Sequence, residues 1–381
     1  LHRRRHSFPT RRSSDLVTLL TVSLSANAQS WNMIVTHTDG TTDTISTKAV
    51  KNVTFQLRDK NVDQLIIKEL YTSGVPYDND ASKFFQMDKG FIIYNNCPDT
   101  AVVNNLAVGI LNPYNAQAQN GWYSDESSTE PSYASQGWVP AANGIWYFQQ
   151  ALVLAPYSQV VVSCMGSIDN TQTYSKSVNY ANADYYAMYD LESGYSNTKY
   201  YPTPADVIPS AHYLKAVKYG QANAWPLSVT SPAFFIFQTK GVTPRDYANN
   251  TANIVYEAGK PATPVFACLK VPTAWVIDGV EVYQDINVGK SKKRFTADID
   301  AGFVKQTYRQ GHTVYRNVDA AATKAIAGNE AKLVYGYTLG TDPSGIDAEA
   351  SIKNGAKIVY QDSNNSTADF HERKQFSIRG N

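Results

Sequence analysis

LIIKELYTSG (residues 65–74), GFIIYNNCPDTAVVNNLAVGI (residues 90–110) and LVLAPYSQVVVSC (residues 152–164) are short runs of aliphatic and aromatic residues separated by turn residues. Similar runs recur along the chain, and few segments have the 3.6-residue periodicity of an amphipathic helix. Short strands with turn residues between them are typical of β-sandwiches and barrels. The sequence therefore predicts a mostly β fold, with a large antiparallel β-sandwich, long loop insertions and few short helices.

The strands predicted for the main domain are 64–70, 90–94, 106–111, 145–148, 159–164, 234–238, 264–270, 274–277, 280–283, 313–316 and 357–359. Asp278-Gly279 lies between two β-branched runs and predicts a tight hairpin turn there. Asp319 as the N-cap and Gly328 as the stop residue predict a helix over 320–327. One or two helical turns are also expected at 205–208 and 348–352.

Residues 29–57 form a separate pattern at the start of the chain. A strand at 32–36, a tight turn at Asp39-Gly40 and a strand at 41–45 predict a β-hairpin, followed by a helical turn at 47–50 and a strand at 53–55. The pattern resembles a small N-terminal module of secreted Bacteroidetes proteins. We expect residues 58–381 to form the main sandwich domain, with insertions at 112–143 and 171–201.

The first 28 residues are predicted to lie outside the fold. Residues 6–16, HSFPTRRSSDL, look like a translated sequencing adapter, so residues 1–16 are interpreted as an artefact; the alternative is a genuine basic tail or the start of a signal peptide. Residues 17–28 hold a short apolar run and Ala26-Asn27-Ala28 before Gln29, which is typical of the end of a signal peptide. The run is shorter than the roughly 20 apolar residues of a membrane helix. We expect an exported protein, periplasmic, at the cell surface or extracellular, in which residues 1–28 pack against nothing.

Composition argues against a nucleic-acid-binding surface. Without residues 1–16, which hold five Arg and one Asp, 29 basic residues face 32 acidic ones. A nucleic-acid partner would require a clustered positive excess, and none is present. Cys97, Cys164 and Cys268 are odd in number and form no C-x-x-C pair, so we expect three reduced thiols rather than a zinc site; the alternative is one disulfide and one free thiol.

The three opening segments together resemble the first strands of lamin-tail-like β-sandwiches, with Glu69 and the Tyr94-Asn95-Asn96 corner as the matching positions. A closer resemblance is to the domain-of-unknown-function family 4876 of secreted Bacteroidetes proteins. It is carried by AWVIDGVEVY (274–283), HTVYRNVD (312–319) and DPSGIDAEASIKNGAKIVYQDSNNSTADFHER (342–373), and it covers about residues 62–373. This resemblance implies an exported sandwich and no known reaction.

No motif of a catalytic or cofactor site is complete. Gly289-Lys290-Ser291 ends like a P-loop, but Gln284 stands where that motif has glycine; His371-Glu372 begins like a zinc-protease motif, but Gln375 replaces its second histidine. Asx-rich segments at 78–80 and 362–369 lack the spacing of a calcium loop and are interpreted as turn caps. We therefore expect no cofactor, no metal ion and no catalytic histidine.

Aromatic residues in the two long connections give the candidate ligand-binding site. Large amphipathic rings on loops provide contact area at low entropic cost and keep a hydrogen-bonding group. The alternative is that the rings fold inward and cover the edges of the sandwich. The predicted binding residues are Trp122, Tyr123, Tyr133, Trp138, Tyr195, Tyr200 and Tyr201.

The sequence thus favours a non-enzymatic binding protein of the cell envelope, accessory to an outer-membrane uptake or adhesion system, with a surface glycan or an outer-membrane protein as its partner. One alternative is a hydrolase acting on a glycan or another polymer, with Glu126 and Glu130 as acid and base. Another alternative is a structural surface protein without a small ligand.

Overall fold

The structure, a computed structural model, describes residues 20–23, 32–36, 40–49, 64–125 and 127–379. The chain divides into two units, Leu1–Arg58 and Asp59–Asn381. None of the helices in the described ranges is long and apolar enough to cross a membrane.

The N-terminal unit contains a three-stranded antiparallel sheet with β2 in the centre, built from β1 (Leu20–Ser23), β2 (Asn32–Thr36) and β3 (Thr42–Ser46). The predicted hairpin strands and the helical turn, a 3-10 helix at Thr47–Ala49, are confirmed. The predicted strand at 53–55 and Asp39 of the predicted turn lie outside the described residues. The expectation that residues 1–28 pack against nothing is wrong for β1, because its β-branched residues pair along the free edge of β2.

The second unit contains nineteen further strands and four short α-helices among its described residues. The strands are β4 (Leu65–Tyr71), β5 (Val75–Pro76), β6 (Phe84–Phe85), β7 (Lys89–Asn95), β8 (Ala101–Val103), β9 (Leu106–Ile110), β10 (Trp138–Ala142), β11 (Gly144–Tyr147), β12 (Leu152–Leu154), β13 (Gln159–Met165), β14 (Tyr186–Met188), β15 (Tyr213–Lys218), β16 (Ala233–Gln238), β17 (Ile254–Tyr256), β18 (Ala267–Pro272), β19 (Val276–Gln284), β20 (Val304–Gln306), β21 (Thr313–Arg316) and β22 (Phe370–Arg373). The helices are α1 (Pro244–Asn249), α2 (Ala320–Ala325), α3 (Ala348–Lys353) and α4 (Ser366–Asp369).

Twelve of these strands form one sheet in the order β20-β19-β16-β9-β11-β15-β14-β13-β7-β4-β21-β22. Most neighbours are antiparallel, but β14 pairs in parallel with both β13 and β15, and β20 pairs in parallel with β19. The outer strands β20 and β22 lie against each other, and the backbone N–H of Thr307 beside β20 donates to Glu372 Oε1 in β22 (2.5 Å). The mostly β prediction is confirmed, whereas this nearly closed sheet does not confirm the two-sheet sandwich or its lamin-tail type.

The strands of this sheet are buried on both faces. In β16, Phe234 and Ile236 belong to the large central core, whereas Phe235 and Phe237 pack into a second cluster on the opposite face. That second cluster is covered by the three-stranded sheet β10-β18-β17. Strands buried on both faces read as continuous apolar runs rather than alternating ones, which is how AFFIFQ appears in the sequence.

A third apolar cluster lies under the C-terminal segment, where Ile66 and Tyr94 meet residues that follow β21. The predicted helix over 320–327 is confirmed as α2, and the Asp319 carboxylate caps it by accepting from the N–H of Ala322 (2.9 Å). The helix expected at 348–352 is α3. The segment 205–208 is a turn, closed by the Ile208 N–H and the Ala205 carbonyl (2.9 Å).

The predicted hairpin at Asp278-Gly279 is wrong, because both residues lie inside the continuous strand β19. The Asp278 carboxylate is buried; it accepts from the backbone N–H of Ile67 in β4 (2.6 Å) and pairs with the Arg316 guanidinium. A Cβ on Gly279 would meet Phe295 Cζ at 2.9 Å. Asp-Gly therefore provides a buried ion pair and a close ring contact here rather than a turn.

The two predicted insertions also contain strands. Residues 112–143 include β10, which carries Trp138, and residues 171–201 include β14. The strand predicted at 357–359 is not formed; Tyr360 makes an isolated bridge to Val318 instead. The three cysteines are free thiols, as predicted, with Cys164 and Cys268 buried and Cys97 half-buried.

Candidate functional site

Several connections leave the twelve-stranded sheet at the same end. Strand β7 begins there at Lys89, which pairs with Met165 at the end of β13. Strands β9 and β15 run in the same direction as β13 and finish at the same end, at Ile110 and Lys218. The connections 111–137 and 219–232 therefore meet over this end of the sheet.

A first cavity of about 510 Å³ opens between these connections. Its buried lining residues with large side chains are Lys89, Met165, Trp225 and Leu227, which come from β7, β13 and the connection 219–232. A cleft of this size lies within the range of small-ligand sites. The remaining lining residues that carry polar side chains are Gln86, Tyr114, Asn115, Asn197, Tyr200, Asn223, Ser228 and Thr230.

A second cavity of about 480 Å³ adjoins the first. Tyr114, Ala222 and Pro226 line both cavities, so the two form one depression, which we call the Tyr114 groove. The second cavity adds four amide side chains, two apolar side chains, one acidic side chain and one basic side chain. They are, in that order, Asn112, Gln119, Asn143 and Gln221, then Val265 and Phe266, then Glu257 and Lys260.

Hydrogen bonds between loops hold the polar edge of the groove. The Asn115 Nδ2 donates to Thr230 Oγ1 (3.1 Å), which ties the connection after β9 to the connection before β16. The backbone N–H of Asn197 donates to the carbonyl of Asn223 (3.2 Å), and Gln86 Nε2 donates to the Tyr200 hydroxyl (2.8 Å). These bonds reduce the loop entropy that a ligand would otherwise have to remove on binding.

Trp225 supports the base of the groove from beneath. Its indole Nε1 donates to the carbonyl of Gly144 (3.0 Å), and its backbone N–H donates to the Tyr201 hydroxyl (2.9 Å). The side chain is 1% exposed. It therefore fixes the connection 219–232 to the central core.

Tyr114 is the exposed aromatic residue of the groove. Its side chain is 48% exposed, although it lies between two cavities. A tyrosine ring in such a position offers an apolar face and a hydroxyl group to a ligand without a large loss of rotamer freedom. The ring is therefore available for contact with a bound molecule.

Lys89 is the cationic residue of the first cavity. Its side chain is 4% exposed, and its ε-amine donates to the carbonyl of Leu227. Burial lowers the pKa of Lys89 from 10.5 to about 8, because the charged form loses hydration. The neighbouring Cys164 thiol cannot balance this charge, since burial raises its pKa and keeps it neutral.

Glu257 is the one carboxylate that the described residues contribute to the linings of the groove. Its Oε1 accepts from the backbone N–H of Gly121 (3.2 Å). A further cavity of about 530 Å³, beside Tyr147, holds Asp190 and Glu192, but Asp190 is engaged by Lys215 Nζ (3.2 Å) and by the N–H of Ala216 (3.0 Å).

The structure places most of the predicted binding residues in the interior, so the corresponding predictions need correction. Trp122, Tyr133 and Trp138 pack on one another with ring centroids 5.5–5.8 Å apart. Trp122 is 4% exposed and Tyr133 is fully buried. They fill the second apolar cluster, beneath the sheet β10-β18-β17, because large rings stabilise the fold most when they leave water.

The four remaining predicted binding residues are divided between buried and half-buried positions. Tyr195 and Tyr201 are buried against Trp146, at 5.4 and 5.6 Å between ring centroids, and so cannot contact a ligand at the surface. Tyr123 is half-buried, and its hydroxyl donates to the carbonyl of Lys293 (2.8 Å). Tyr200 is half-buried and is the predicted residue that lines the groove.

Sequence reasoning missed Tyr114, Lys89 and the connection 219–232. A segment of fourteen residues between strands, GQANAWPLSVTSP preceded by Tyr219, exceeds the usual loop length, and such loops are often functional. That length was the available signal. Lys89 gave no signal, because a lysine at the start of a strand is normally exposed.

Of the candidate residues for hydrolysis and for calcium binding, those that the structure describes lie outside the lining of the Tyr114 groove. Glu130 is exposed and outside the groove lining, and Glu126 lies outside the described residues. Asp369 accepts from Ser363 and Asn365, and Asp78 accepts from Ser175. Asp369 therefore caps a local turn, as predicted, and so does Asp80, which accepts from the backbone N–H of Ser82 (3.1 Å). Asp78 instead joins two loops that are distant in sequence.

Two comparisons with known proteins found similarity to this chain. The model described as "Protein of unknown function (DUF4876)" matches residues 155–335. A crystal structure of a DUF4876 family protein from Bacteroides thetaiotaomicron VPI-5482 is similar with a TM-score of 0.56 and 18% identity, covering 94% of this chain and 83% of that chain. No curated protein sequence matches. The resemblance stated from the sequence motifs is thus confirmed over residues 155–335, and at this identity the solved structure shows the fold alone.

Proposed function

We propose that this DUF4876-like chain is an exported binding protein that holds a glycan in the Tyr114 groove without chemical turnover. One observation carries the proposal, namely that an exposed tyrosine lies between two adjoining cavities edged by amide and hydroxyl side chains. A sugar ring has the complementary chemistry, because its C–H face packs on an aromatic ring while its hydroxyl groups pair with amides. Export is inferred from residues 17–28.

The arrangement of carboxylates supports binding rather than hydrolysis. Glycoside hydrolysis commonly uses two carboxyl groups about 5 to 9.5 Å apart across the scissile bond. The described groove lining offers Glu257, whose Oε1 is already occupied by the N–H of Gly121. An oligosaccharide in the groove would therefore contact many hydrogen-bond donors and acceptors. Among the described lining residues it would contact one carboxylate that could serve as a general acid or base.

A role as the soluble component of an outer-membrane uptake or adhesion system would use the same site. The groove lies on connections at one end of the sheet, whereas the rest of the unit forms a rigid support. A glycan captured there could be transferred to a membrane protein or could anchor the cell to a surface.

A glycan array probed with the purified chain, followed by mass analysis of the bound glycans, tests the proposal. We expect binding of a subset of glycans and recovery of every glycan intact. Cleavage of any array glycan would overturn the proposal in favour of a hydrolase. The absence of binding to all glycans would overturn it in favour of a structural role.

A further inference from the structure

Lys89 is an ionised side chain without a carboxylate partner at the base of the first cavity. Within the described residues, no Asp or Glu oxygen lies within 4.0 Å of its Nζ. Several other buried cations of the described residues do have a carboxylate partner, such as Lys68 with Glu349 (2.5 Å) and Arg294 with Glu281 (2.9 Å), whereas the buried Arg373 also has none within 4.0 Å. Buried charges without a partner are costly, so they are normally paired.

Within the part of the chain that the structure describes, the hydrogen bonds of Lys89 are also incomplete. An ammonium group has three donors. One of them reaches the carbonyl of Leu227, itself a residue of the cavity lining. Among the described residues, the lining of this cavity contains no carboxylate and one cationic side chain, Lys89. Coulombic interactions are stronger at a buried site than at a surface lysine, where water screens them.

We propose, on the basis of the binding function above, that the Tyr114 groove selects an acidic glycan and that its carboxylate or sulfate group pairs with Lys89. The neutral part of the glycan lies over Tyr114 and extends into the second cavity. Lys89 then acquires the counter-ion that the chain itself does not provide. The glycan is recognised by one negative charge at a fixed distance from an aromatic face.

Binding of an acidic glycan should be coupled to the protonation of Lys89. The free protein holds Lys89 partly deprotonated just above neutrality, since burial lowers its pKa to about 8. An anionic group beside the amine favours the charged form, so binding takes up a proton. Affinity for an acidic glycan should therefore fall as the pH rises above about 8, whereas affinity for a neutral glycan should not change.

The titratable groups near Lys89 lie on its own strand, on the neighbouring strand β13 and in the cavity lining. Cys164 on β13 stays neutral. Asp88, the preceding residue on β7, is bound by the Tyr71 hydroxyl, and burial raises its pKa to about 6. The remaining titratable groups of the cavity lining are the hydroxyls of Tyr114 and Tyr200. Lys89 is the residue of this lining whose pKa burial brings to about 8.

The test uses an array of matched pairs on the full chain: sialylated and asialo glycans, uronate oligomers and their methyl esters, and sulfated and unsulfated glycans. We expect the acidic member of each bound pair to bind at least tenfold more tightly at pH 7, with the preference reduced to below threefold at pH 9.5. The pairs distinguish carboxylate from sulfate as the recognised group.

Lys89→Met should abolish the acidic preference, because it keeps the length of the side chain and removes the charge. Lys199→Met is the matched control, since Lys199 is exposed on a neighbouring loop outside the cavity lining, and it should retain the preference. Circular dichroism and a cooperative melt establish that both variants fold; if Lys89→Met does not, Lys89→Gln replaces it. Equal binding of neutral and acidic members, or loss of the preference in Lys199→Met as well, would overturn the inference and leave glycan binding intact. Failure of every pair to bind would instead overturn the proposed function.

Discussion

The ε-amine of Lys89 donates its hydrogen bond to the carbonyl oxygen of Leu227, which joins the first residue of β7 to the connection before β16. This bond fixes the base of the Tyr114 groove. It also holds a cation that has lost most of its hydration. The buried charge of Lys89 therefore lowers the stability of the free protein, whereas the same charge favours binding of an anionic ligand. Both effects can be measured in variants of Lys89.

Lys89→Met should stabilise the free protein at pH 7. The folded state lowers the pKa of Lys89 from 10.5 to about 8, so the unfolded chain binds more protons between these values and wild-type stability rises with pH across that window. A shift of that size corresponds to roughly 3 kcal/mol, partly offset by the unpaired carbonyl of Leu227 in the variant. Urea unfolding at pH 7 and pH 10 measures both effects. A wild-type protein whose free energy of unfolding falls between pH 8 and pH 10 relative to Lys89→Met would contradict the assignment.

Glu69→Gln should change the pH dependence of stability in the opposite direction. Burial raises the pKa of Glu69 from 4.5 to about 7, although Ser377 and Arg373 act against this rise. The folded state then binds more protons than the unfolded chain between pH 4.5 and pH 7, so this residue makes stability fall as the pH rises through that window. Subtracting the unfolding free energies of Glu69→Gln from those of the wild type at pH 5 and pH 7.5 isolates the effect. A difference that grows in favour of the wild type with rising pH would refute it.

Trp122→Ala should destabilise the fold by about 3 to 5 kcal/mol, because it leaves a cavity between Tyr133 and Trp138 and leaves the Asn112 side chain without its indole donor. Val153→Ala is a matched control on a strand of the same unit, since Val153 is 58% exposed and should change stability by less than about 0.5 kcal/mol. Chemical denaturation distinguishes the two. If both substitutions had equally small effects, Trp122 would be exposed at the surface and would again be a candidate ligand contact.

Gly279→Ala should destabilise the protein by about 1 to 3 kcal/mol, since the added methyl group would meet Phe295 Cζ at 2.9 Å and Ile299 Cγ2 at 3.2 Å. Gly289→Ala is the control, because nothing lies within 4 Å of a Cβ there. If Asp278-Gly279 were a hairpin turn at the surface, both substitutions would have similarly small effects on the thermal midpoint.

Local patterns were sufficient for much of the β structure. The strands predicted at 32–36 and 313–316 match the structure, and Asp319 marks the start of α2 because its cap is a local interaction. Closure of the sheet was not predictable from such patterns, since contact between β20 and β22 depends on residues far apart in the chain. Burial on both faces also removed the alternation that would have identified core-facing positions in β16.

The candidate site was less predictable than the fold for a physical reason. Aromatic rings are equally suited to a binding surface and to a core, and only the long-range packing around Trp122, Tyr133 and Tyr195 decides between them. Tyr200 was found because its loop is long. Lys89 could not be found, because its burial results from a connection more than one hundred residues away in sequence.

The central claim, that the Tyr114 groove binds a glycan, depends on the ring of Tyr114. Isothermal titration with the strongest array glycan should show at least tenfold weaker binding for Tyr114→Ala than for the wild type, with an unchanged melting temperature because this side chain is 48% exposed. Tyr335→Ala is the control, since Tyr335 is 52% exposed and lines neither cavity of the groove. Undiminished affinity in Tyr114→Ala, or an equal loss in Tyr335→Ala, would contradict the assignment of the groove as the binding site.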